Sequence, residues 1–304
     1  MKWMKRGLIY CPDGKLWWAK THAMIPTPDL LDEKVVRVYV GFCDEKKVGR
    51  IGFVDLDADD PSSVLNVSDK PVLDIGIPGT FDDNGVHPSS IVNLGDQKYL
   101  YYIGFQIGVK VRYYIIAGLA ICRDSGKSFK RYSRVPILER SNTDLFFRTA
   151  PCVILDEGIW KMWYVGGSKW TKVNGKPVPV YRIKYLESKD GVNWGDEGKV
   201  CIDFLNEDEH GFGRPFVVKE NGLYKMFYSI RTRSKGYRLG YAESKDGVNW
   251  IRKDEKVGID ISDSGWDSKM ICFSSILKVR GKTYMFYNGN NFGETGFGYA
   301  VLEE

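Results

Sequence analysis

The sequence is poor in the features that announce the commonest specialised chemistries. Its 304 residues hold three histidines and six cysteines, and no CxxC pair appears among Cys11, Cys43, Cys122, Cys152, Cys201 and Cys272. A zinc ribbon or a disulfide framework is therefore not expected, and several of these thiols fall inside predicted strands as buried free cysteines. No run of 18 apolar residues occurs, so no membrane-spanning helix is expected. The start Met1-Lys2-Trp3-Met4-Lys5-Arg6 leads into no apolar signal core, and a cytoplasmic location is the expectation. The net charge is only +5, with lysines and arginines scattered and without an RNA-recognition aromatic motif. Nucleic acid is accordingly not an expected partner. No helical periodicity and no low-complexity linker stand out, while 43% hydrophobic and 14% aromatic residues suit one large packed core.

What the sequence does have is repetition. Ser-Lys-Asp-Gly-Val-Asn-Trp occurs at Ser188 to Trp194 and again at Ser244 to Trp250, about 56 positions apart. A degenerate copy, Asp124-Ser125-Gly126-Lys127-Ser128-Phe129, precedes them. Two further markers keep step: Pro71-Val72-Leu73-Asp74, Pro136-Ile137-Leu138-Glu139, Val200-Cys201-Ile202-Asp203 and Val257-Gly258-Ile259-Asp260, and aromatic runs such as Trp160-Lys161-Met162-Trp163-Tyr164 and Tyr224-Lys225-Met226-Phe227-Tyr228. Repetition at a fixed period identifies a structural unit stacked in series. Each unit of about 60 residues reads as four short strands, with Asn-Gly and Asp-Gly pairs supplying the positive-φ turn residues. The prediction is an all-β, five-bladed β-propeller of four-stranded antiparallel blades in a single domain, 1–304. The blades fall at about 13–73, 74–140, 141–203, 204–262 and 263–304 plus 1–10, and the N-terminal strand completes the last blade. Such closure would remove an exposed sheet edge.

In a propeller the inner strands converge on a central funnel, and their entrances face it. All three histidines, His22, His87 and His210, lie at these entrances, together with Arg148, Arg214 and Lys269. Guanidinium and ammonium groups in a desolvated funnel favour an anionic ligand. Against this stands pairing within the chain, Arg148 with Asp144 or Arg214 with Glu209, and backbone hydrogen bonding by the histidines. No metal or other cofactor is expected, since no helical or hairpin spacing fixes the histidines as a ligand set. Asp82, Glu209 and Asp267 recur at corresponding positions, which suits either an architectural hydrogen bond or a catalytic carboxylate. Asp83, beside Asp82, is less bound to the repeat, and a neighbouring carboxylate raises one of two pKa values, as an acid catalyst requires. Asp124, Asp190 and Asp246 belong to the turns. Trp17, Trp18 and Trp170 are open to sugar stacking or core packing.

The run Phe81-Asp82-Asp83-Asn84-Gly85-Val86-His87-Pro88-Ser89-Ser90-Ile91, with Gly240-Tyr241-Ala242-Glu243 leading into the second turn, resembles the five-bladed propellers of the glycoside hydrolase superfamily that includes arabinanases, invertases and mannoside phosphorylases. The resemblance spans the chain. It implies a carbohydrate-active enzyme of hydrolase or phosphorylase type, with a carbohydrate or sugar-phosphate ligand. At the expected catalytic positions the chain departs: Thr21-His22 stands where the family places an Asp, and Val86-His87-Pro88 and Gly213-Arg214-Pro215 stand where an Asp-Pro is sought. That leaves Asp82, Asp83 and Glu209 as catalytic candidates. The substrate-binding candidates are His22, His87, Arg148, His210, Arg214, Asp267 and Lys269. Phosphorylase relatives pair one carboxylic acid with phosphate held by Arg, Lys and His, all present here. The alternative is a non-catalytic propeller that binds a glycan or sugar nucleotide, or scaffolds surface-polysaccharide biosynthesis.

Overall fold

Each copy of the repeated heptapeptide folds upon itself. In a computed structural model of the protein, which describes residues 1–303, Asp190 Oδ1 accepts the amides of Val192 (2.9 Å) and Asn193 (2.8 Å), and Ser188 Oγ accepts those of Asp190 and Gly191. Ser244 and Asp246 repeat the pattern in the second copy. The turn needs its glycines, because Gly191 and Gly247 take φ of 73° and 78°, where a side chain would be strained. Their carbonyls then serve the preceding repeat. Tyr101 Oη donates to Gly191 O at 2.8 Å, Trp163 Nε1 to Gly247 O at 2.7 Å, and Tyr39 Oη to Gly126 O at 3.1 Å. The aromatic strand of one repeat thus grips the turn of the next.

The strands are β1 (Trp3–Tyr10), β2 (Thr21–Leu30), β3 (Val35–Cys43), β4 (Gly49–Asp57), β5 (Val64–Val67), β6 (Val86–Leu94), β7 (Gln97–Ile107), β8 (Tyr113–Cys122), β9 (Lys130–Arg131) and β10 (Phe147–Asp156). There follow β11 (Ile159–Val173), β12 (Lys176–Ser188), β13 (Lys199–Ile202), β14 (Glu209–Glu220), β15 (Leu223–Thr232), β16 (Arg238–Ser244), β17 (Ile251–Arg252), β18 (Cys272–Val279), β19 (Lys282–Asn288) and β20 (Phe297–Leu302). They form four-stranded antiparallel sheets β2-β3-β4-β5, β14-β15-β16-β17 and β18-β19-β20-β1, and an eight-stranded sheet. The larger sheet is two antiparallel sets, β6 to β9 and β10 to β13, joined where β8 and β10 run parallel for the two pairs Phe147↔Ile115 and Arg148↔Ile116. β1 pairs with β20 from Trp3↔Leu302 to Tyr10↔Phe297, so the first strand of the chain finishes its last sheet.

This nearly all-β, propeller-like body is organised by its first strands. β2 neighbours β6, β6 neighbours β10, β10 neighbours β14, β14 neighbours β18, and β18 returns to β2. Tyr284 Oη, donating to Asp59 O at 3.4 Å, ties the last sheet to the first. The apolar cores lie between successive sheets: Val38 and Phe42 pack with Phe286 and Tyr299, and Trp163 and Tyr185 with Tyr224 and Met226. Trp163, Tyr101 and Tyr287 are fully buried, and each large side chain removed from water contributes about 1.5–3 kcal/mol. Cys43, Cys122, Cys152 and Cys272 are buried free thiols, whereas Cys11 is exposed and Cys201 half-buried.

All five first strands share a defect that shapes the centre. Each has a register break: Met24/Thr27, Pro88/Ser90, Thr149/Cys152, Gly213/Phe216 and Cys272/Ser275. At three of them a non-glycine residue takes a left-handed φ, Ile25 (57°), Ala150 (49°) and Phe273 (55°). Bulges re-aim side chains, and strain of this kind gathers at ligand sites.

Candidate functional site

The bulged residues surround a cavity of about 300 Å³. Ile25, His87, Ala150, Arg214 and Phe273 reach it from the five first strands, and Ile103, Phe105, Tyr113, Val165, Tyr181, Arg231 and Tyr237 from the hairpins outside them. Three buried polar atoms of this lining have no hydrogen-bond partner: His87 Nδ1, Thr149 Oγ1 and Arg231 Nε. Buried polar groups are rarely left unpaired, because each costs about 1–3 kcal/mol. All three belong to residues that line the cavity, but the atoms themselves are closed off from solvent, and His87 Nδ1 is packed against Gly41. None of the described lining residues is an Asp or Glu.

His87 sits in this wall by design of its neighbours. Its ring lies against Gly41 and Gly49, where a Cβ would collide with the imidazole, and meets Phe105 edge to face at 5.4 Å. Burial pushes its pKa down from 6.5 to about 3, with a further contribution from His22. The imidazole is therefore neutral and its free Nδ1 a hydrogen-bonding atom. The sign of the pH effect follows: the unfolded histidine takes a proton below about pH 6.5 and the folded one does not, so stability is complete above that pH and falls as the pH drops toward 3. At about 1.4 kcal/mol per pH unit, the loss at pH 5 is about 2 kcal/mol. Urea unfolding at pH 7.5 and 5 should show that much less acid sensitivity in His87→Gln than in the wild type, and equal sensitivity would rule this assignment out.

Arg214 forms the floor. It is 1% exposed and donates to Ser89 O, Pro26 O, Phe273 O, Ser274 O and Thr27 Oγ1 at 2.7–3.2 Å. One guanidinium thus holds three of the other first strands, and burial pushes its pKa down to about 9. Glu209 is not its partner. That carboxylate instead takes Arg252 in a two-pronged pair, 2.8 Å on each side.

Of the carboxylates expected to recur, Asp82 and Asp267 share one arrangement, which Asp144 joins and Glu209 does not. Asp82 accepts Tyr102 Oη (2.9 Å) and Arg131 Nε (2.7 Å), Asp144 accepts Tyr164 Oη (2.9 Å) and Lys184 Nζ (2.7 Å), and Asp267 accepts Tyr287 Oη (3.1 Å) and Lys5 Nζ (2.7 Å). Each tyrosine follows its aspartate by 20 residues. All three aspartates are buried on the turns that precede first strands and are not among the cavity-lining residues. Asp83 is half-buried, and its Oδ2 accepts the Gly79 amide at 2.8 Å. It sits on the turn that enters β6, four residues before His87.

The remaining candidates disperse. Arg148 points back into its sheet, donating to Glu139 O and Gly195 O, with Asp144 at 3.9 Å. His22 bonds Thr21 Oγ1 outside the cavity lining, and its pKa is lowered by burial and then by Lys47. Lys269 is exposed and is not among the cavity-lining residues. His210 and Glu209 line a second, open cleft of about 920 Å³ walled by Lys169, Trp170 and the 203–207 segment. That cleft is larger; Arg182 there pairs with Asp203 at 2.7 Å, and Arg233 donates to Lys172 O and Glu207 O. Trp18 is core, Trp17 is exposed beneath Arg50, and Trp170 stands between Tyr113 and Phe147 at the cavity edge. No group of three His, Cys, Asp or Glu side chains suited to a metal ion occurs among the described residues.

Arg231, Tyr113, Tyr181 and Tyr237 were not legible as site residues from the repeat. All four lie outside the first strands, and the one available signal was that β15 runs beyond its aromatic stretch into a basic residue at the funnel end.

No family model matches the chain. It is 36% identical over 303 residues to the uncharacterized protein Rv1502 of Mycobacterium tuberculosis, covering 100% of both. Over 165 residues, 52% of each chain, it is 28% identical to a 1,2-beta-oligomannan phosphorylase of Thermoanaerobacter sp. (strain X514). Among solved structures it superposes on a glycoside hydrolase with a TM-score of 0.76 at 20% identity, covering 99% of this chain and 92% of the other. It also superposes on a structure described under the GH130 family of mannoside phosphorylases, with a TM-score of 0.72 at 15% identity over 99% and 94%. The expected fold kinship with glycoside hydrolases is thereby established.

Proposed function

The chain belongs to the family of the uncharacterized mycobacterial protein Rv1502, and from that premise we propose that it is a single-domain, five-bladed propeller acting as a carbohydrate-active enzyme on a glycosidic bond. The substrate is an anionic or phosphate-linked sugar held in the central cavity. The observation that carries this reading is a cavity where the first strands meet whose lining holds His87, Thr149, Arg214 and Arg231. Its volume of about 300 Å³ lies at the lower end for small-molecule sites.

Phosphorolysis suits this geometry better than two-carboxylate hydrolysis. Hydrolysis needs an acid and a second carboxylate as base or nucleophile, whereas Asp82 and Glu209 are engaged by Arg131 and Arg252. Phosphate brings its own nucleophile and asks for one acid. The name of the Thermoanaerobacter relative supports that class. In this reading Asp83, on the turn that enters β6 and outside the cavity lining, gives its proton to a leaving group that extends beyond the cavity, His87 and Arg214 form the binding wall and floor, and Asp82, Glu209, Arg148 and Asp267 hold the scaffold. A cytoplasmic location, where phosphate is at hand, fits the same reaction.

Incubating the protein with aryl glycosides of uronic acids, aryl glycosides of neutral sugars and β-1,2-mannobiose, with and without inorganic phosphate, tests the proposal, with turnover expected of the anionic substrates. Phosphate-dependent release of a sugar 1-phosphate is expected, and Asp83→Asn should lower kcat by about 100-fold or more while retaining binding. The absence of any Asp or Glu among the described cavity-lining residues favours a second reading: a silent propeller that binds a glycan or sugar nucleotide in surface-polysaccharide biosynthesis. Binding without turnover of any glycoside would select it.

A further inference from the structure

Among the basic side chains at the cavity, Arg231 has a different situation from its neighbours. Arg214 spends its donors on carbonyls and Thr27. Arg112 is exposed at the rim, over the ring of Tyr113. Arg231 stands instead between two aromatic faces, its guanidinium carbon 5.1 Å from the ring centre of Tyr181 and 5.4 Å from that of Tyr237. Its Nε is buried without a hydrogen-bond partner. After burial, the largest electrostatic influences on it are Tyr237, Tyr181 and Tyr113. Burial keeps Tyr181 and Tyr237 protonated, with pKa values far above 10, so neither supplies a negative charge. The unbalanced charge is felt nearby: after burial, Arg231 is the largest influence lowering the pKa of His210.

Arg231 is half-buried, and a partly desolvated cation without a counter-charge gains when an anion pairs with it. Two flanking rings hold a guanidinium plane by its faces and leave its N–H edge for the ligand. That edge matches the two oxygens of a carboxylate or phosphate. Resting on the reading of the central cavity as a sugar site, we propose that Arg231 is its specificity-determining residue and binds a carboxylate or phosphate group carried by the sugar itself, with Tyr181 and Tyr237 as its clamps. The ligand is then a uronic acid or a sugar phosphate, and the neutral parent sugar is discriminated against.

Calorimetric titration of the full chain at pH 7.5 and low salt provides the test. The probes are the uronic acids of glucose, galactose and mannose, the 1- and 6-phosphates of the same hexoses, the three neutral hexoses, and inorganic phosphate. At least one anionic sugar should bind tenfold or more tightly than its neutral parent, and whether it is a uronate or a phosphate identifies the anion. Arg231→Gln should abolish that preference without lowering the urea midpoint, and Arg112→Gln should retain it. Equal binding of anionic and neutral sugars overturns the inference while leaving the cavity as a sugar site. A preserved preference in Arg231→Gln, or inorganic phosphate bound as tightly as every sugar phosphate, also overturns it. Binding of no probe at all counts against both the inference and the sugar-site reading.

Discussion

Arg214→Leu is expected to lower the free energy of unfolding by about 4 kcal/mol, the largest loss from any substitution considered. The guanidinium is the common donor for Ser89 O, Pro26 O, Phe273 O and Ser274 O, and for Thr27 Oγ1. Leucine would restore much of the volume and none of the donors. Each buried acceptor left without a partner costs about 1–3 kcal/mol, and water entering from the adjoining cavity would offset part of the sum. Removing a buried charge that has no carboxylate partner is favourable in itself, which also moderates the loss. Arg214→Lys should recover only part of the stability, since an ammonium is a point donor that cannot span three strands. Urea unfolding followed by tryptophan fluorescence measures both variants. A loss below about 1 kcal/mol for Arg214→Leu would mean that the first strands are held in place by other contacts.

The second large effect is expected at Asp144. Asp144→Asn keeps the shape and the acceptor for Tyr164 Oη but removes the carboxylate that pairs, among the described residues, with buried Lys184 at 2.7 Å and with Arg148 at 3.9 Å. Asp144 itself is wholly buried. Breaking a buried ion pair from one side leaves a desolvated charge and costs about 3–5 kcal/mol, and the retained hydrogen bonds place this variant near 3 kcal/mol. The double variant Asp144→Asn, Lys184→Met should regain much of the loss, because the stranded charge is then gone as well. Failure of the second substitution to rescue the first would show that Asp144 acts through its tyrosine and not through its charge. Asp83→Asn is the contrasting case: its carboxylate caps one exposed amide, so its substitution should affect turnover far more than stability.

The repeat made the scaffold legible for physical reasons. Asp-Gly turns demand a positive φ, and aromatic strands demand burial between sheets, so both signals survive divergence from one unit to the next. Trp3-Met4-Lys5 was readable as a closing strand because it resembles the strand that follows Trp250, and β1 indeed pairs with β20. The site was harder. A register break in every first strand shifts the alternation of inward and outward residues. Arg148 consequently turns into its sheet while Thr149 and Ala150 face the cavity, a distinction that spacing does not encode. The equivalence of Asp82 and Asp267 was visible in the sequence, but the tyrosine 20 residues on and the cation that neutralises each came only from the folded chain. Arg231 was missed because its significance lies in what it lacks, a carboxylate partner, and a missing long-range contact leaves no local pattern.

The most direct test of the account is a crystal structure of the protein soaked with the uronic acid or sugar phosphate that titration shows to bind best. The account predicts the sugar in the central cavity, in contact with His87 and Thr149 and with its anionic group on Arg231. Ligand seated only in the open cleft beside His210 and Glu209, with the central cavity unoccupied and unchanged, would contradict it.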